Sequence, residues 1–89
     1  MTFNFQPPLL PHLSGHERRV VRLQEIQLIP VVRELEERRH SLRVRFLQAW
    51  HSPEGRPNSG EIWEELKAVD QRFTAERAKL AALERQLAA

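Results

Sequence analysis

Glu37 and His40 stand three residues apart in the run Glu37-Arg38-Arg39-His40. On a helix this spacing turns a carboxylate and an imidazole to one face, the way helical di-iron proteins present metal ligands, with the Glu-x-x-His pair repeated on another helix. The chain holds no second Glu-x-x-His. A second copy would supply one only by turning a solvated face inward, so the pair reads as polar surface. His12 and His16 are four apart, but Pro11 and a helix start at Ser14 put His12 outside that helix, and two ligands without a third make no metal site.

Other constellations are equally incomplete. No serine is paired with a base at a meaningful spacing, and there is no cysteine. The three glycines, Gly15, Gly55 and Gly60, lie beside helix ends or in a loop, not in a run that cradles phosphate. Glu36-Glu37 and Glu64-Glu65 are chain neighbours on a solvated surface, whereas acid–base work needs two carboxylates facing across a cleft. Arg38-Arg39-His40-Ser41 resembles a basic-directed kinase site, but a stable helix hides it. The expectation is a protein that is not an enzyme, with no catalytic residue, cofactor, metal or small-molecule substrate.

Arginine is the suggestive residue type. Between Ser14 and His51 eight arginines face five glutamates, a balance of +3, whereas from Asn58 to Ala89 five basic residues meet six acidic ones, a balance of −1. Arg18, Arg19 and Arg22 cluster first, and Arg38, Arg43 and Arg45 follow. Such a face can bind phosphates by releasing counterions. Against that, Glu34, Glu36 and Glu37 interrupt the row, no aromatic residues interleave to stack on bases, and pairs such as Glu34 with Arg38 and Glu36 with His40 suit a solvated helix face.

Eighty-nine residues make a single small domain, and a chain of this size buries only about 60% of its unfolded surface. Without cysteines it has no disulfide to supplement a thin core. No apolar run is long enough to span a bilayer, and Met1-Thr2-Phe3-Asn4-Phe5 lacks the charged and apolar regions of a secretion signal. A cytoplasmic location and no membrane partner are expected.

The elements that would carry these side chains follow from periodicity. Residues 1–13 form an arm: Pro7, Pro8 and Pro11 favour an extended course, and Phe3, Phe5, Leu9, Leu10 and Leu13 favour docking on the protein itself. Pro8-Leu9-Leu10-Pro11 could also serve a proline-recognising groove, but it lacks flanking basic residues. Ser14-Gly15-His16-Glu17 has capping-box spacing and opens helix 1, residues 14–51, which Pro30 should kink. His51 belongs to its last turn. Residues 52–60 are turn formers, and helix 2 covers 61–88, with Asn58 or Ser59 as its cap.

Both helices carry apolar residues at alternating four- and three-residue steps, the seam of a coiled coil. Helix 1 offers Leu28, Val32, Leu35, Leu42, Phe46 and Ala49, with Arg39 in one place. Helix 2 offers Ile62, Leu66, Val69, Phe73, Leu80, Leu83 and Leu87, with Glu76 in one place. Folded back on itself, the chain stacks Ala49 with Ile62, Phe46 with Leu66, Leu42 with Val69, Arg39 with Phe73 and so on to Leu28 with Leu83, and Leu87 ends near Gln24 and Glu25. Arg39 and Glu76 fall in neighbouring layers and are expected to pair and fix the register, unless both snorkel outward.

The fold class is therefore all-α: an antiparallel, coiled-coil-like helical hairpin with a kinked first helix and an extended N-terminal arm, expected to dimerise into a four-helix bundle. Val20, Val21, Leu23, Ile26 and Ile29 overhang the second helix and need cover. The expected function is a non-catalytic protein–protein interaction module, an adaptor, chaperone-like or assembly subunit that forms a homodimer and binds a second protein. Its contact residues would be Arg18, Arg19, Arg22, Leu47 and Trp63. The alternative is a nucleic-acid-binding accessory or regulatory protein using Arg38, Arg43 and Arg45.

Overall fold

A capping box starts the first helix. In the computed structural model, which describes residues 13–89, the Ser14 hydroxyl accepts from the Glu17 amide at 3.1 Å while a Glu17 carboxylate oxygen accepts from the Ser14 amide at 3.4 Å. The expected arm, with His12, lies outside the described residues except for half-buried Leu13. Helix α1 then spans Gly15–His51 without interruption, Pro30 included. Absence of Gly, Asn or Asp around Pro30 explains why the chain does not reverse there: nothing beside the proline favours a turn.

The reversal comes after His51. Ser52 takes an extended conformation, and its amide bonds back to the Ala49 carbonyl. A 3-10 turn, Arg56–Asn58, leads straight into α2, Ser59–Ala88. The second helix thus starts two residues before the expected 61, and neither expected cap forms. Asn58 already has helical backbone angles, whereas a capping side chain needs an extended residue. The Ser59 hydroxyl instead donates to the Arg56 carbonyl at 2.7 Å and is buried. Gly55 allows a close approach: a Cβ there would stand a tight 3.1 Å from the Ala49 Cα and 3.2 Å from its carbonyl oxygen.

The two helices pack along the seam. Val32, Leu35, Leu42, Leu66, Val69 and Phe73 form one contiguous core, flanked by Leu28, Val31, Ile62 and Leu80. Each fully buried side chain of this kind contributes about 1.5–3 kcal/mol, and Leu42, 2% exposed, is the most enclosed. Register follows from two places. The Arg39 guanidinium lies over the Phe73 ring, and Leu28 shares a groove with Leu83. The described residues are all-helical, with two helices packed against each other.

The expected Arg39 to Glu76 pair does not form. Arg39 donates to an Asp70 carboxylate oxygen at 3.2 Å, and Glu76 accepts from Lys79 one turn along its own helix, also at 3.2 Å. Asp70 sits on the flank of the seam, about half exposed, so pairing there spares a carboxylate the desolvation that a seam position imposes. The expected Glu34 to Arg38 pair is also replaced: Arg38 bridges to Glu65 of α2 at 2.9 Å.

Candidate interaction surface

An aromatic cluster closes the loop end of the hairpin. Phe46 and Trp50, one turn apart on α1, stack with centroids 6.2 Å apart and planes at 21°, and Trp63 from the second turn of α2 tilts onto Phe46 at 5.2 Å. The loop braces the cluster. Arg56 donates from Nε to the Trp50 carbonyl at 3.0 Å and holds its guanidinium 5.3 Å from the Trp50 ring centroid, a cation–π geometry. Both tryptophans remain nearly half exposed. Beside them a groove of about 390 Å³ runs between the helices, floored by Leu66 and walled by Leu47, Trp63, Arg43 and Lys67.

Leu47 and Trp63, expected as contact residues, therefore line one groove. The arginines expected to act with them do not join them. Arg18, Arg19 and Arg22 line a groove with Gly15 and Leu23 at the opposite, open end of the hairpin. There Arg18 donates to the Leu87 carbonyl at 2.9 Å, which satisfies a free carbonyl at the end of α2, and Arg22 pairs with Glu25 at 3.1 Å. The set of Arg18, Arg19, Arg22, Leu47 and Trp63 is thus two separate patches, one at each pole.

Arg38, Arg43 and Arg45 do not form one basic face. At 100° per residue, Arg43 lies about 140° around the helix from Arg38 and about 160° from Arg45. Arg43 faces the aromatic groove, and Arg38 is tied to Glu65. His40 lines a polar surface depression with Arg33, Glu36, Glu37 and Ser41. Among the described residues no three histidine or acidic side chains come close enough to hold a metal ion, and no helix is long and apolar enough to cross a membrane.

Trp50 and Val44 join the exposed apolar side chains beyond those expected. For Trp50 the sequence carries a signal: it follows Phe46 by four residues and Leu47 by three, which sets all three along one side of the last turns of α1. Compared with protein-family profiles, with characterised proteins and with solved structures, the chain shows no significant match.

Proposed function

We propose that the protein is a non-catalytic protein–protein interaction module that self-associates through helical packing and presents a separate surface to a second protein. One observation carries this reading. Among the described residues, seven apolar side chains are buried, while eight large ones are exposed by 36–58%: Val20, Leu23, Ile26, Ile29, Val44, Leu47, Trp50 and Trp63. Scattered single exposures need no explanation, but clusters of this size on a two-helix fold mark contact surfaces. Each helix of a hairpin buries only the stripe facing the other, and these eight side chains lie outside the buried core.

The second-protein surface is best placed at the aromatic cluster, where exposed tryptophans and an arginine flank an apolar groove, a composition enriched at interface cores. The distribution of arginines favours this reading over nucleic-acid binding, because the basic side chains point around the helix and several are engaged by carboxylates. Sedimentation equilibrium over a hundred-fold concentration range tests self-association, with a rise toward twice the chain mass expected. A constant single-chain mass would overturn it. Binding to mixed-sequence duplexes that weakened steeply between two salt concentrations would favour the nucleic-acid alternative instead.

A further inference from the structure

A second seam runs along α1, away from α2 over most of its length and reaching the wall of the aromatic groove at Leu47. Starting at Leu23, alternating three- and four-residue steps lead through Ile26, Pro30 and Arg33 to Glu37, His40, Val44 and Leu47. This stripe lies roughly 180° around the helix from the Leu28 to Ala49 seam. All of its members are exposed. Its order is apolar, then polar, then apolar, and it is matched to its own reverse. Folding the stripe about Leu35 sets Leu23 against Leu47, Ile26 against Val44, Pro30 against His40 and Arg33 against Glu37. Antiparallel coiled coils need this alternation, since the two heptad rows of one helix face the opposite rows of the other.

We infer that the occupant of this face is a second copy of the same chain, docked antiparallel with its two-fold axis at Leu35. This inference rests on the self-association proposed above and names its surface. A two-fold contact is isologous, so every pairing occurs twice. Two apolar layers at each end exclude water, and at the centre Arg33 of each copy meets Glu37 of the other. The charge pairing sets direction: a parallel alignment in register would place Arg33 on Arg33 and Glu37 on Glu37. Glu34 and Glu36 border the same central layers, so each guanidinium also answers an acidic rim. The resulting assembly is a single layer of four helices in the order α2, α1, α1, α2, with Leu47 shared between the end layer of the contact and the wall of the aromatic groove.

Charge exchange tests the register. Arg33→Glu alone and Glu37→Arg alone each place like charges in both central layers, and each is expected to weaken dimerisation roughly ten-fold. The Arg33→Glu/Glu37→Arg double variant restores attraction, and an equimolar mixture of the two single variants forms a heterodimer. Cross-linking tests direction, because the chain has no cysteine of its own. A mixture of Leu23→Cys and Leu47→Cys chains is expected to oxidise to the mixed disulfide, with no Leu23→Cys homodisulfide. A wild-type protein that sediments as one chain at every concentration overturns self-association and this inference together. A stable dimer indifferent to both charge changes, or one giving no mixed disulfide, leaves self-association standing and overturns this surface. A chain that dimerises only after removal of residues 1–12 assigns the face to the arm, which also overturns it.

Discussion

The Arg39 guanidinium sits 4.1 Å from the centroid of the Phe73 ring, inside the seam between the helices. A cation in a coiled-coil seam costs desolvation, and here the aromatic face compensates part of it while Asp70 accepts from the other edge of the guanidinium. Arg77 approaches the same ring at 5.9 Å. The pairing makes Arg39 a packing residue as much as a charged one, with its side chain 23% exposed against 48% for Asp70.

Two substitutions separate these contributions. Asp70→Asn removes a half-exposed ion pair and is expected to cost less than about 1 kcal/mol. Arg39→Ala also removes the aliphatic stem and the contact with Phe73, and is expected to cost about 1–3 kcal/mol. Urea unfolding of both variants checks the order. Equal losses would show that the carboxylate, not the ring, holds Arg39 in place.

Pro30 breaks one hydrogen bond inside a continuous helix. Pro30→Ala returns the donor to the Ile26 carbonyl and is expected to raise stability by roughly 1–3 kcal/mol. Thermal unfolding followed by circular dichroism, at a concentration where the chain is monomeric, reads the effect. A lower melting temperature would mean that the helix is bent in a way alanine cannot support.

Leu42 and Leu47 lie five residues apart on α1, one at the centre of the core and one in solvent. Leu42→Ala is expected to cost about 2–5 kcal/mol, enough to unfold so small a domain at ambient temperature. Leu47→Ala is expected to leave monomer stability within about 0.5 kcal/mol while weakening association. Melting curves at low and high protein concentration distinguish the two effects.

Both tryptophans rest on Phe46 and are nearly half exposed. Their emission is expected at the long wavelengths of solvated indole and should be readily quenched by acrylamide. Phe46→Ala, which removes the shared support, should increase quenching further. No change would mean that the rings are held by the loop alone.

Much of this arrangement is legible from spacing. The seam positions Val32, Leu35 and Leu42, with Leu66, Val69 and Phe73, follow from alternating steps of three and four, because burial on a hairpin has no other period available to it. The Ser14 to Glu17 capping box is a local reciprocal bond, so four residues determine it. The choice of Asp70 over Glu76 is not legible in this way. Asp70 lies off the seam, and a long arginine leaves its layer sideways when an aromatic ring turns it and a less desolvated carboxylate awaits it. The caps of α2 are illegible for a related reason: Asn58 and Ser59 have capping side chains, but the preceding 3-10 turn has already made the backbone helical. The aromatic groove depends on which residues of two helices meet across the loop. Trp50 and Trp63 are thirteen residues apart in sequence; Trp50 meets Phe46 one turn along the same helix, and only the reversal brings Trp63 there too.

The bond from Arg18 to the Leu87 carbonyl has a geometric consequence. It holds the start of α1 beside the end of α2, so a domain or tag joined to either flank of the helical hairpin would begin from the same pole. The tryptophans occupy the other pole, at the far end of a 37-residue helix that measures about 55 Å. The hairpin is therefore a spacer whose two flanks share one end. Anything joined directly after α2 would begin some 50 Å from anything captured at the aromatic groove.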